Sequence, residues 1–309
     1  MSASGAGRYA PSPSGDLHLG NLRTAMLAWL CARSTGRRFL IRIEDLDRDR
    51  DAGTADQQLA DLAALGLDWD DRPTRQTDRA ADHAAALARL MDEGLVYECT
   101  CTRREILEAP SAPHGPPGAY PGTCRDRSEA ERAEARAAIH PRQPALRLRV
   151  PAGSERVACA DEWRGRWSGV VDDLVLRRGD GTVSYQLAVV VDDAAMGVDQ
   201  VVRGDDLLSS TPRQVLLQRL FGLPTPTYAH VPLVLSPSGD RLAKRDGAVT
   251  LRALRGLGIE AAAVRSLLAE SLGLAAAGEP VSMAQLLARW DPARLPSSPW
   301  VWHPPAATS

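Results

Sequence analysis

The spacing of hydrophobic positions changes several times along the chain, and each change marks an element. Leu22, Ala25, Met26, Trp29 and Leu30 recur at three- and four-residue intervals and predict a helix from Asn21 onward. Ahead of it, Arg8-Tyr9-Ala10-Pro11-Ser12-Pro13 is an extended run that two prolines keep out of helix. Ser14-Gly15-Asp16 then reads as a turn. Arg38 to Asp47 has an apolar middle with carboxylates at its end, the pattern of a buried strand opening into an acidic loop. Residues 54–66 and 78–95 return to helical spacing, with Gly66 and Gly94 as stop signals. Residues 109–122 are rich in proline and glycine and predict a loop.

Ser128 to Ile139 predicts a charged, alanine-rich helix, and residues 145–150 and 168–190 predict strands. Within the second stretch, the apolar run from Val183 to Val191 fits a strand buried on both faces. On a strand, Asp192 and Asp193 would point to opposite faces, which argues against a metal-binding pair. Ser210-Thr211-Pro212 signals a helix start for Arg213 to Phe221. Residues 251–290 are helical in pattern and end in a Pro/Ser/Trp tail. The whole predicts an α/β chain. Residues 1–98 and 183–250 are the two halves of one domain, 99–182 a loop-rich α+β insertion, and 251–309 a helical region.

Composition narrows the class. The chain has 309 residues, 44% apolar and 25% charged, which suits a globular protein of two or three domains. No apolar run is long enough to span a membrane, and Met1 to Gly7 has neither the charge nor the apolar stretch of a signal peptide, so the expectation is a cytoplasmic protein with no membrane partner. The net charge of -2 neither points to RNA nor excludes it, because RNA contact needs only a local basic face. The five cysteines are an odd number, which argues against a disulfide framework. Three of them, Cys99, Cys101 and Cys124, crowd into a loop-rich stretch poor in apolar residues, where a structural Zn²⁺ would substitute for a core. His114 is the conventional fourth ligand by chemistry. Cys31 and Cys159 read as structural.

Two stretches suit a polyphosphate. A strand, tight loop and helix aim the free N–H groups of the helix start at whatever lies over the loop. His18 adds a donor, and Gly20 lets a flat ring approach the backbone. Far along the chain, Ser238 to Gly247 is a glycine-flanked loop carrying Arg241, Lys244 and Arg245.

These stretches carry a family resemblance. The string PSPSGxLHLGN resembles the HIGH signature of class I aminoacyl-tRNA synthetases, in the form used by the glutamyl and glutaminyl enzymes, with Asn21 in place of the second histidine. RIEDLD resembles the R-I-E-D-x-D segment of that family, and YQLAVVVDDAAMGVDQVVRG its segment ending in V-x-R-G. RLAKR resembles KMSKS. It departs at the first, third and fifth positions, has leucine for methionine at the second, and keeps Lys244.

The resemblance implies a Rossmann-type, doubly wound parallel sheet with ATP across its switch point. His18, Gly20, Asn21 and Lys244 would hold ATP, with His18 and Lys244 catalytic and Mg²⁺ bridging the phosphates. Arg8, Tyr9, Ala10, Pro11, Ser12, Glu44, Tyr185 and Arg203 would bind L-glutamate. Cys-x-Cys…Tyr-x-x-x-Cys resembles the zinc site of glutamyl-queuosine tRNA(Asp) synthetases and some glutamyl-tRNA synthetases. On that resemblance Tyr120, not His114, joins Cys99, Cys101 and Cys124. The implied reaction is activation of glutamate as the adenylate, followed by transfer to queuosine in the anticodon loop of tRNA(Asp) by a monomer. A conventional glutamyl-tRNA synthetase continues into an anticodon-binding region where this sequence stops. The alternatives are a truncated glutamyl-tRNA synthetase charging the tRNA 3′ end, and a non-catalytic RNA-binding paralogue.

Overall fold

The computed structural model describes residues 5–108, 119–242 and 249–304. The first half of the chain runs β1 (Ala6–Tyr9), α1 (Leu19–Ser34), β2 (Arg38–Ile43), α2 (Ala55–Ala64), β3 (Thr74–Arg75) and α3 (Ala80–Asp92). A middle stretch follows as β4 (Val96–Cys99), α4 (Arg103–Glu108), α5 (Glu129–Ile139), β5 (Ala145–Leu148), β6 (Arg156–Asp161), β7 (Gly165–Val170) and β8 (Val175–Arg177). The chain then returns through α6 (Tyr185–Ala195), β9 (Val198–Gly204), α7 (Thr211–Leu220), β10 (Thr227–Val231) and β11 (Val234–Leu235). It ends in α8 (Leu251–Gly256), α9 (Ala261–Ser271), α10 (Met283–Arg289) and β12 (Trp300–Val301).

The main sheet has the order β3-β2-β1-β9-β10-β6-β7. Its strands from β3 to β6 pair in parallel, and only the β6–β7 hairpin is antiparallel. Winding starts at β1, proceeds outward through β2 and β3, then resumes on the other side at β9. The switch point therefore lies between β1 and β9, where such sheets leave a crevice beyond the strand C-termini. A smaller antiparallel sheet, β4-β5-β8, stands apart. The stretch from 99 to 182 thus supplies strands to both sheets.

Alternation along the strands builds a core on each face. Phe39, Ile41, Val202, Ala229 and Val231 join a cluster with α1, α2 and the C-terminal helices. Ala6, Leu40, Val201 and Tyr228 join a second cluster with α3, α6, α7 and the small sheet. Helix α1 has 11 buried residues and so little amphipathic bias because it is enclosed on both sides, by the sheet and by the C-terminal helices. Buried Arg23 fastens that contact, donating to the Pro232 carbonyl and to Ser271. Burial with no carboxylate to offset it pulls the Arg23 pKa down to about 10.

Local chemistry explains most of the predicted boundaries. Gly66 and Gly94, with φ of +85° and +70°, end α2 and α3 in the left-handed conformation. Ser128 caps α5 reciprocally with Glu131, and a proline lies in the first turn of α7. One expectation fails. The apolar run after Val183 is not a strand but helix α6, and only Gly165–Val170 and Val175–Arg177 are strands in the predicted 168–190 stretch. A short, wholly apolar run satisfies either period. Ser184, whose hydroxyl accepts from the Leu187 N–H, caps it as a helix. Among the described residues, no helix is long and apolar enough to cross a membrane.

Candidate active site

Strand parity decides which charged residues meet. Leu40 and Ala6 face α6 and α7, so Arg42 and Arg8, each two residues on, face the same way. Val201 and Tyr228 likewise direct Arg203 and His230 to that face. Four charged or titratable side chains thus reach one side of the sheet at its C-terminal edge, each of them at most 5% exposed.

Helix α6 supplies the first countercharge. Asp193 accepts from Arg8 Nε–H at 3.2 Å and Nη2–H at 3.5 Å, and from Arg42 Nη1–H at 2.5 Å. Arg42 also donates to Glu44 at 3.1 Å. Burial opposes the charge on Asp193, but Arg42 and Arg8 outweigh it and hold the carboxyl below its usual range. For Glu44 burial wins over the same two arginines, and its pKa rises. Asp192, one helical step away, takes different partners: Gln76, Arg79 and His83.

Arg203 has quite different surroundings. Its Nε–H donates to His230 Nε2 (3.0 Å), Nη1–H to Gln214 Oε1 (2.8 Å) and Nη2–H to Thr211 Oγ1 (2.9 Å). His230 Nδ1–H donates to Asp161 Oδ2 at 2.6 Å, which fixes the tautomer and leaves Nε2 to accept. Burial, and secondarily Arg203, lowers the His230 pKa against the pull of Asp161, so the ring stays neutral.

Tyr185, at the start of α6, lies within electrostatic reach of Glu44, Arg203, Arg8 and Arg42, and burial raises its pKa first of all. No described residue hydrogen-bonds its hydroxyl. Tyr9 is buried, and burial, with Glu44 adding to it, raises its pKa. Ala10, Pro11 and Ser12 continue β1 into the loop. The Pro11 carbonyl accepts from Glu44 N–H, and that of Ser12 from Gln58. The predicted glutamate residues therefore converge, and the structure adds five that the sequence reading did not select: Arg42, Asp193, Thr211, Gln214 and His230.

The phosphate motif is built as predicted but starts earlier. His18 is the N-cap of α1: its Nδ1 accepts from Asn21 N–H, and its own N–H donates to Asn21 Oδ1. This leaves the proton of the neutral ring on Nε2. Asn21 thus holds His18. Gly20 has a second reason to be glycine, because a Cβ there would lie 2.9 Å from His18 Cε1. Lys244 lies outside the described residues. Beyond it, the Val249 carbonyl accepts from Leu19 N–H at 2.8 Å, so the chain returns from the basic loop to the start of α1.

A separate cluster lies at the end of β4. The Sγ atoms of Cys99, Cys101 and Cys124 are all within 4.8 Å of one another. The Tyr120 hydroxyl is 3.5 Å from Cys99 Sγ, and the Cys124 N–H donates to it at 2.8 Å. A hydrogen bond from Cys99 is the main reason that the Cys124 thiol is pulled down to about 4. The cluster favours a thiolate, and sulfurs bound to one tetrahedral zinc lie roughly 3.8 Å apart, so the donor set fits a metal ion. His114 lies outside the described residues. Cys31 and Cys159 are buried elsewhere, and burial raises both thiols.

Comparison with known proteins agrees with this architecture. Residues 6–301 match the family described as tRNA synthetases class I (E and Q), catalytic domain. A glutamyl-Q tRNA(Asp) synthetase of Nocardia farcinica is 62% identical over 96% of this chain and 93% of its own length. One from Symbiobacterium thermophilum is 48% identical over 95% and 94%. A glutamate tRNA ligase from Elizabethkingia meningosepticum, solved with its amino acid, superposes with a TM-score of 0.81 at 26% identity, covering 97% of this chain and 67% of that one.

Proposed function

The chain belongs to the class I tRNA synthetase family of the glutamate and glutamine enzymes, and from that premise we propose that it activates L-glutamate with ATP and transfers it to queuosine in the anticodon loop of tRNA(Asp). The observation that carries this reading is similarity over nearly the full length of relatives that bear that name. The convergence of Arg8, Glu44, Tyr185 and Arg203 at the sheet's switch point supports the choice of an acidic amino acid.

In this reading a glutamate carboxylate attacks the α-phosphorus of ATP in line, and pyrophosphate leaves. A hydroxyl of the queuosine cyclopentenediol then attacks the mixed anhydride, and AMP leaves. No protein nucleophile is needed; positioning and charge do the work. Arg8 and Arg203 face the two carboxylates, Glu44 the α-ammonium, and Tyr185 donates its unengaged hydroxyl. Tyr9, Ala10, Pro11 and Ser12 form the wall beneath them. His18 Nε2–H, the backbone at Gly20 and Asn21, and Lys244 receive the phosphates, which carry their Mg²⁺ mainly through water. Cys99, Cys101, Cys124 and Tyr120 hold one structural Zn²⁺, which ties the small sheet to the α4 segment. The insertion and the C-terminal helices then grip the RNA stem. All the residues invoked lie on one chain, so a monomer suffices.

The test supplies labelled glutamate, ATP and three acceptors, then locates the label by nucleoside mass. A queuosine-bearing anticodon stem-loop is expected to be labelled, and the same stem-loop with guanosine is not. Labelling confined to full-length tRNA with an intact 3′-terminal adenosine would install the truncated glutamyl-tRNA synthetase in its place.

A further inference from the structure

Arg203 is held by three acceptors, and none of them is charged. Each is itself fixed. Gln214 donates its amide to Gln186 Oε1 at 3.0 Å, and Gln186 in turn donates to Ser210 Oγ at 3.1 Å. His230 is anchored by Asp161, and the Thr211 hydroxyl sits 3.3 Å from His230 Nε2. Among the described residues, Arg203 meets no carboxylate. The guanidinium is oriented as firmly as an ion pair would orient it, yet no carboxylate touches it.

Charge counting shows why this matters. In the neighbouring cluster, Arg8 and Arg42 are matched by Asp193 and Glu44. Arg203, by contrast, has no carboxylate in direct contact; the acid behind it, Asp161, reaches it only through the His230 ring. Glutamate as a zwitterion has a net charge of minus one, whereas glutamine, of nearly the same shape, is neutral. A carboxylate at position 214 would make the same hydrogen bond and set a negative charge directly on the guanidinium.

We propose that Gln214 is a specificity-determining positioning residue: with Thr211 and His230 it aims Arg203 at the side-chain carboxylate of the amino acid without neutralising it, so the pocket demands the second negative charge that glutamate has and glutamine lacks. The proposal rests on the reading that Arg203 faces the amino acid. Glutamine would leave a buried guanidinium unpaired, and a site built around a polar group rejects ligands that cannot satisfy it.

The experiment is amino-acid-dependent ATP–pyrophosphate exchange by the full chain. Gln214→Glu is close to isosteric and is expected to raise KM for glutamate by about 10²-fold. KM for ATP should stay within about twofold, and the preference for glutamate over glutamine should fall at least about tenfold. Gln214→Met removes the acceptor without adding charge, and should raise KM for glutamate modestly while keeping the preference. Thr211→Asp puts a carboxylate on Nη2 from the first turn of α7, where an acid is favourable. It should reproduce the lost preference even if Gln214→Glu fails to fold. If folded Gln214→Glu or Thr211→Asp keeps the wild-type glutamate-to-glutamine ratio, the proposal is overturned. If the folded wild type shows no glutamate-dependent exchange, the underlying reading fails before any variant is compared.

Discussion

Two buried arginines on the same face of one sheet illustrate two ways to keep a cation out of water. Arg8 is held by a carboxylate, shared with Arg42, in a cluster whose charges cancel. Arg203 is held by an imidazole, an amide and a hydroxyl, and no acid touches it. The first arrangement is a structural brace that engages Nε and Nη2 of Arg8. The second is a charge held in readiness. Hydrogen bonding and charge compensation are separable, and this site uses them separately.

The sharpest way to break the comparison is Asp193→Asn. It leaves Arg8 and Arg42 buried with Glu44 as their only acid, and should cost about 3–5 kcal/mol of stability, the usual penalty for removing one partner of a buried pair. Chemical denaturation measures this, and glutamate-dependent exchange should fall with it. On the neutral side, Thr211→Val removes one acceptor from Arg203 and should cost only about 1–3 kcal/mol. Equal losses in the two variants would erase the distinction.

Acidification sharpens the comparison further. Burial raises the pKa of Glu44, so its charge is present above that raised value and is lost as the pH falls through it, sooner than for an ordinary carboxylate. KM for glutamate should therefore climb on acidification at a higher pH than an ordinary carboxylate would set, and Glu44→Gln should flatten the profile. On the Arg203 side, burial opposes the charge on Asp161, but the His230 hydrogen bond outweighs it, and the carboxyl lies below the usual range. That contribution to stability is present above the ordinary carboxylate pKa and is lost only as the pH falls through the depressed value. Arg203 therefore keeps its support in the range where Glu44 is losing charge. The smallest expected effect on either arginine comes from the distant cysteine cluster. Cys124→Ser should abolish bound zinc by elemental analysis and impair stem-loop transfer, while leaving glutamate-dependent exchange within about twofold.

Much of this site was legible in local sequence, because the residues proposed to meet phosphate or amino acid come in short strings whose spacing reflects one loop or one strand end. PSPSG-to-HLGN is such a string, and so is RIEDLD. The residues that hold those side chains were not legible. Asp193 reaches Arg8 across 185 positions and Arg42 across 151, and no spacing encodes such pairings. Reading Val183–Asp193 as a strand concealed them further, since it gave Asp192 and Asp193 faces they do not occupy. Arg42 had one signal, a charge alternating with Ile41 and Ile43 in a strand predicted to be buried, and a buried arginine requires a partner. For His230 and Gln214 no pattern stood out, because their role depends on two strands and a helix meeting.

The separation between Arg8 and Asp193 also bears on how the protein comes to be made. Strands β1 and β2 leave the ribosome with both arginines long before the acid that neutralises them. At roughly 5–20 residues per second, about ten to forty seconds pass between the synthesis of Arg8 and that of Asp193. Through that interval the edge of β1 that β9 will cover has no permanent partner, and on the face beneath α6 the two arginines have Glu44 but not yet Asp193. The sheet is completed, and the second acid of the cluster supplied, only when the stretch from α6 to β10 has been made.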